Sequence, residues 1–368
     1  MISDKILKSE ERAMLSLRSL YKQYGYLPFK MSKFEEYDLY VRNKEFLVSD
    51  SVITFNDTDG RLLALKPDVT LSIIKNGTDE PGNKQKVYYN ENVYRVSGST
   101  HLFKEILQSG IECIGDIDIF DLYESVYLAA KSLSVISDRF VLDVSHMGVV
   151  SAVLDFASDN DDFKRSAISL IADKNSHDMR KLCREHRVEP SAESLIVTLI
   201  ESCGAPSDVL AKLSCLSDIP AASEAYDELV GICNMMAETE FSNKIRVDFS
   251  VVNDMSYYNG VVFKGFLDGI CEGVLSGGEY DVLMHRMGRS SKAIGFALYL
   301  DLLEGLECDA SDTDIDVLLI YGKNNAAESV IAKQQELVAC GKSVLCAKNV
   351  PSKLRFGEIY DMTKEGAR

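Results

Sequence analysis

The sequence predicts an α+β protein, and three observations carry that prediction. Long alternating runs come in adjacent pairs, as antiparallel strands require; a block of consecutive amphipathic helices interrupts them; and a short strand, helix, strand unit follows an acidic linker near the end. The expected architecture is an antiparallel sheet flanked by helices over residues 1–310, with a helical insertion at about 159–240. A small α/β unit is expected over 311–368.

Ser3 or Asp4 can cap a first helix running to about Tyr24, with Met14, Leu17, Leu20, Tyr21 and Tyr24 on one stripe and Gly25 as the stop. "YLPFKMSKF" reads as a short strand. "SVITFN" and "RLLALK" flank an Asp59-Gly60 turn and form a hairpin. Pro67-Asp68 opens a helix through about Lys75, with proline early, where its missing N–H costs nothing. "KVYYNENVYRV" and "EILQSGIECIGD" pair across a polar loop. A helix from Asp118 to about Leu133 precedes the strand "RFVLDVSH", and another helix starts at Met147. After the helical block, strands return with "KIRVDFSVV", "GVVFKGF" and "GICEGVLSGG". "KAIGFALYLDLLEGL" reads as a helix. "IDVLLIYG", "AAESVIAKQQELVACG" and "KSVLCAK" make one β-α-β unit.

Composition narrows the function classes. The 368 residues carry 40 Lys plus Arg against 57 Asp plus Glu, a net charge of -17, and no basic stripe that would track a phosphate backbone. Nine scattered cysteines, an odd number, fit reduced thiols in a cytoplasmic protein. The start, "MISDKILKSEERAML", lacks an apolar signal region, and no run reaches the ~20 residues of a membrane span, so a soluble protein is expected. Cys183 and His186 form a lone C-x-x-H without a second pair, and no metal is expected. Gly341-Lys342-Ser343 resembles the end of a phosphate loop, but the earlier glycine falls on Glu336, so the stretch reads as a helix end and a strand. No dinucleotide, hydrolase or metalloprotease motif is present, and no cofactor is expected.

What remains are polar groups set in strands or at their ends, where burial is costly unless they are paired. They are Asp68 and Thr70 in "LKPDVT", Arg95 in "VYRV", Gln108 and Glu112 in "QSGIECIG", Tyr257 and Tyr258, and Ser276 to Asp281 in "SGGEYD". Gln108 and Glu112, four apart, share a strand face. Carboxylate, amide and phenol groups together suit a small ligand with an ammonium group and a hydrogen-bonding ring. Each residue taken alone reads as a solvated or core side chain. Their order along the chain carries the functional signal.

That order resembles the class II aminoacyl-tRNA synthetase core, and specifically the histidyl-tRNA synthetase catalytic domain. "GYLPFKMSKFE" is similar to motif 1, "LKPDVT" to the family's L-R-P-E/D-x-T, and "YRVSGSTHLFKEILQSGIECIG" to motif 2. "SYYNGVVF" resembles the histidine-recognition segment R-G-L-D-Y-Y-x-x-x-V-F, and "SGGEYDVLMHRMG" with "AIGFALYLDLL" resembles motif 3. The resemblance implies a histidine pocket of Asp68, Thr70, Gln108, Glu112, Tyr258, Ser276, Gly277, Gly278 and Tyr280. Asp68 and Thr70 would hold the ammonium group, Glu112 would sit beside it, and Gln108 would reach the carboxylate or ammonium. Tyr258 and Tyr280 would bind the imidazole edge, and glycines 277 and 278 would let the ligand approach the backbone. Tyr257 would face the core.

The departures from that family bear on function. Synthetases stabilise charge on the ATP phosphates with positioned cations, and losing one such donor typically costs on the order of 10² to 10³ in rate. Of three family arginines, Arg95 is kept, whereas the others align with Asn253 and Leu302. The anticodon-binding domain is shortened to about its first half. This combination resembles the regulatory subunit of ATP phosphoribosyltransferase, a non-catalytic chain. In that family the chain works with a short catalytic subunit in a hetero-octamer and confers feedback inhibition by histidine. The resemblance further implies a homodimer within that assembly and makes tRNA an improbable partner. Two alternatives are a divergent histidyl-tRNA synthetase and a histidine-sensing pseudo-synthetase with another partner.

Overall fold

The computed structural model describes residues 7–43, 52–77, 82–97, 100–252, 258–305 and 313–364. Packing divides the chain into two units, Met1–Leu306 and Glu307–Arg368.

In the first unit, α1 (Ser9–Gln23) leads through Gly25, whose φ of 81° ends the helix, to β1 (Leu27–Pro28). The helix starts after Lys8, whose N–H donates to Glu11 Oε2 at 2.9 Å. The expected caps Ser3 and Asp4 lie outside the described residues. A separate three-stranded antiparallel sheet follows, from β2 (Phe34–Glu36), α2 (Tyr37–Arg42), β3 (Thr54–Asn56) and β4 (Leu62–Leu65), in the order β2-β4-β3. Helix α3 (Thr70–Asn76) begins where the Leu71 N–H donates to Asp68 Oδ1 at 2.9 Å.

The long hairpin is β5 (Lys84–Val96) with β6 (Phe103–Gly115), thirteen residues in each strand. Then come α4 (Ile119–Ile136), capped by Asp118, β7 (Phe140–His146) and α5 (Met147–Ala157). Four helices, α6 (Asp161–Ala172), α7 (Ser176–His186), α8 (Pro190–Glu201) and, after the two-residue β8 (Cys203–Gly204), α9 (Pro206–Lys212), lead to α10 (Pro220–Ala237). The chain returns to the sheet through β9 (Ile245–Asp248), β10 (Val261–Leu267), β11 (Leu275–Glu279), α11 (Asp281–Arg286) and β12 (Lys292–Tyr299). A 3₁₀ turn, Leu300–Gly305, closes the unit.

The nine-stranded sheet runs β1-β5-β6-β12-β11-β10-β7-β9-β8. It is antiparallel from β5 to β7, but β1 pairs parallel to β5 and β9 parallel to β7, so the sheet is mixed rather than antiparallel throughout. One face packs against α1, α4, α5 and α10 in the larger core, through Ile111, Phe263 and Phe296. The other face carries a smaller core built with α3, β4 and α11, around Val87, Tyr89, Tyr280 and Ala293.

One element departs from its sequence reading. Residues 292–299 form a central strand, paired to β6 and β11, and only the following turn is helical. A strand buried on both faces loses its polar alternation, and a short apolar run then looks the same in either period.

The second unit holds β13 (Ile315–Ile320), α12 (Ala327–Ala339), β14 (Val344–Ala347) and β15 (Phe356–Asp361). Its sheet is parallel, in the order β14-β13-β15, so a third strand joins the expected β-α-β unit. Among the described residues, no helix is long and apolar enough to cross a membrane.

Candidate functional site

Strand register assembles the site. Residues directly opposite each other in a sheet share a face, so Val87, Glu112, Gly295, Gly278 and Val262 form one row across five strands. The neighbouring row contains Tyr89, Gly110, Ala297 and Ser276, and Gln108 lies one step further, between Glu91 and Tyr299. This is the face opposite the larger core.

Glu112 is the centre. It is 2% exposed, accepts from Thr70 Oγ1 at 2.8 Å, and accepts from the Tyr280 hydroxyl at 2.6 Å. Burial pushes its carboxyl up to about 8, and the nearby Asp68 charge adds to that, while the two hydroxyl donors oppose it. Space for the carboxyl comes from β12: a Cβ at Gly295 would stand 1.8 Å from Glu112 Oε2. Tyr258 packs over Gly278, where a Cβ would meet its ring at 2.7 Å. Burial, then Tyr299, Glu112 and Asp68, hold the Tyr258 phenol well above its ordinary range, and the ring packs against the smaller core. Gln108 is buried on the same face as Glu112. A cleft of about 310 Å³ opens beside Tyr258 and Asn259, lined also by Gly148, Ser151 and Ala221.

The structure therefore brings together Asp68, Thr70, Gln108, Glu112, Tyr258, Gly278 and Tyr280, with half-buried Ser276 on the adjoining row. Gly277 is a correction. Successive strand residues face opposite ways, and a Cβ at Gly277 would strike Phe296 at 2.4 Å and Phe263 at 2.7 Å in the larger core, so it opens no path to a ligand. Asp68 has a second task beyond the one expected of it, since its carboxylate caps the start of α3. Burial raises its pKa, against the opposing pull of the Leu71 N–H and then Arg95. Tyr257 and Asn253 lie outside the described residues.

Next to this cluster, the cations are already engaged. Arg95 Nε donates to the Pro67 carbonyl at 3.0 Å, and its charge pulls the Tyr299 phenol down against the larger effect of burial. Lys66 is fully buried and pairs with Glu91 at 2.8 Å. Leu302 is half-buried and packs against the larger core. Lys66, Glu91, Tyr299 and Tyr89, whose hydroxyl lies 2.5 Å from where a Cβ of Gly110 would be, are site-face residues that the sequence reading passed over. Lys66 could have been noticed as a lone charge between an apolar strand and Pro67. Among the described residues, no cluster of His, Cys, Asp and Glu is placed to hold a metal.

The histidyl-tRNA synthetase family model matches residues 4–303, most of the chain and the whole of this site. The chain belongs to the histidyl-tRNA synthetase family. Within it, the chain is 24% identical over 349 residues to an ATP phosphoribosyltransferase regulatory subunit of Oceanobacillus iheyensis, covering 93% of this chain and 86% of that one. A solved structure from Bacillus halodurans, described as an ATP phosphoribosyltransferase regulatory subunit/histidyl-tRNA synthetase, shares the fold. Its TM-score is 0.78 at 21% identity, over 98% of this chain and 96% of that one. A chain of the ATP phosphoribosyl transferase (HisG:HisZ) complex of Thermotoga maritima matches with a TM-score of 0.63 at 20% identity, over 79% of this chain and 97% of that one.

Proposed function

We propose that this protein is a non-catalytic regulatory subunit of ATP phosphoribosyltransferase, the complex that joins ATP to phosphoribosyl pyrophosphate in the first step of histidine biosynthesis. Histidine is its effector, bound among Asp68, Thr70, Gln108, Glu112, Tyr258 and Tyr280. The observation that carries this reading is the contrast between two sets of positions. The groups suited to an ammonium and an imidazole stand together around Glu112, while Arg95 is held by the Pro67 carbonyl and the position of a family arginine is the packed Leu302. A leucine cannot stabilise a developing phosphate charge, so adenylation is lost. The regulatory-subunit name of the relatives and the complex of the Thermotoga protein support the same reading.

The partner is a short-form catalytic subunit, with this chain as a homodimer inside a hetero-octamer in the cytoplasm. The second unit is a shortened anticodon-binding domain, and a net charge of -17 disfavours tRNA. Feedback follows from linkage: histidine inhibits by binding the inactive arrangement of the complex more tightly than the active one. The test is co-purification with a short-form catalytic subunit and turnover with and without this chain. The reading predicts turnover that depends on this chain and falls on adding histidine. A catalytic subunit equally active alone, or a complex indifferent to histidine, contradicts it.

A further inference from the structure

Two segments of the chain supply the pocket tyrosines, Tyr258 just before β10 and Tyr280 just after β11, and a pair of neighbouring residues ties them together. The Asp281 N–H donates to Asn259 Oδ1 at 2.8 Å, and Asn259 Nδ2 approaches Asp281 Oδ2 at 3.4 Å. The other oxygen, Asp281 Oδ1, accepts from the Ala293 N–H at 2.9 Å, two residues before the Gly295 that makes room for Glu112. Main-chain bonds run alongside, from Asn259 N–H to the Glu279 carbonyl at 3.2 Å and from Tyr280 N–H to the Ala293 carbonyl at 2.9 Å.

Asp281 is 7% exposed, and a buried carboxylate is retained only where its acceptor sites are used. Here they are used on three sides. Beyond Asn259 and Ala293, buried Glu279 hydrogen-bonds to Asp281. Burial, then the Asp281 charge, pushes the Glu279 carboxyl up to about 8. Gly260 leaves the space, since a Cβ there would stand 2.0 Å from Glu279 Oε2.

We infer that Asn259 and Asp281 form a clip that positions Tyr258 and Tyr280 for the ligand, so that pocket affinity depends on two residues acting through the tyrosines. The clip joins three segments: the one bearing Tyr258, the one bearing Tyr280, and β12. With it open, the Tyr280 hydroxyl loses its fixed place on Glu112. The inference rests on the reading of this pocket as a histidine site.

The experiment is calorimetric titration of the full chain with L-histidine for the wild type, Asn259→Ala, Asp281→Ala, the double variant and Asp281→Asn. A lost buried hydrogen-bond partner weakens binding by about tenfold or more in each alanine variant. The Asp281 N–H that Asn259 accepts is main-chain and survives Asp281→Ala, so the two variants open different bonds of the clip and the double variant binds more weakly than either single one. Asp281→Asn keeps an acceptor for the Ala293 N–H but turns an amide donor toward Asn259 Nδ2, so its loss falls between wild type and Asp281→Ala. Unchanged affinity in both alanine variants overturns the clip. If Asp281→Ala fails to fold, half-buried Asn259→Ala carries the test. If the wild type binds no histidine, the pocket reading fails, and a crystal structure of ligand-free Asn259→Ala judges the clip separately. A Tyr280 hydroxyl beyond reach of Glu112 supports it, and one still at 2.6 Å overturns it.

Discussion

Two halves of one sheet face have been used differently. Around Glu112, hydroxyls from α3 and from the residue after β11 converge on a carboxyl that, among the described residues, has no cation among its hydrogen-bond partners. Further along the same face, in the row of Gln108, Lys66 closes on Glu91, and Arg95 on the Pro67 carbonyl, so positive charge is consumed inside the protein. The first half is the one proposed to take a cationic ligand. The second has turned ligand chemistry into packing. Binding and stability should therefore separate: substitutions in the first half change affinity, and substitutions in the second change stability.

The largest expected effect is Gly295→Ala. Its Cβ would meet Glu112 Oε2 at 1.8 Å and the Ile111 carbonyl at 2.5 Å, so the strand or the carboxyl must move. Histidine affinity measured by calorimetry falls about 10²-fold or more, since the first half depends on that space. The second half is probed by Lys66→Met, which strands Glu91 without its partner. Denaturant unfolding is expected to show a loss of about 3 kcal/mol, with histidine affinity within about threefold of wild type. An affinity collapse on Lys66→Met would erase the distinction between the halves.

Thr70→Val removes one donor to Glu112 at nearly constant volume and weakens histidine by about tenfold, with a small change in melting temperature. The smallest effect is in pH. A proton on Glu112 competes with a ligand ammonium, and the folded carboxyl has been raised to about 8, so affinity rises as pH rises toward that value. Between pH 7 and 8 the gain is about fivefold, and Glu112→Gln flattens it. The same raised value means that the folded state holds more protons than the unfolded one. Its stabilising effect is present at low pH and is lost as pH rises through about 8.

Much of this was legible in the sequence because a strand has period two. That period alone put Gln108 and Glu112 on one face, and the order of the segments placed them with Thr70 and Tyr280. The same period, applied to Gly277 and Gly278, separates them, and the structure puts Gly277 in the larger core. Residues 292–299 hid their strand by being buried on both sides. Contacts across sequence distance left no local signal: Lys66 with Glu91 spans 25 residues and Asn259 with Asp281 spans 22. Leu302 was legible as a missing arginine, but its packing on the larger core belongs to the three-dimensional structure.

One half of this face is proposed to take histidine while the other no longer handles ATP. Histidine-dependent exchange of pyrophosphate into ATP tests this most directly, run on the preparation whose histidine binding has been titrated. Saturable histidine binding with no exchange above a protein-free blank is the expected result. Exchange that requires histidine and saturates with ATP would contradict it, and would make the chain a working synthetase.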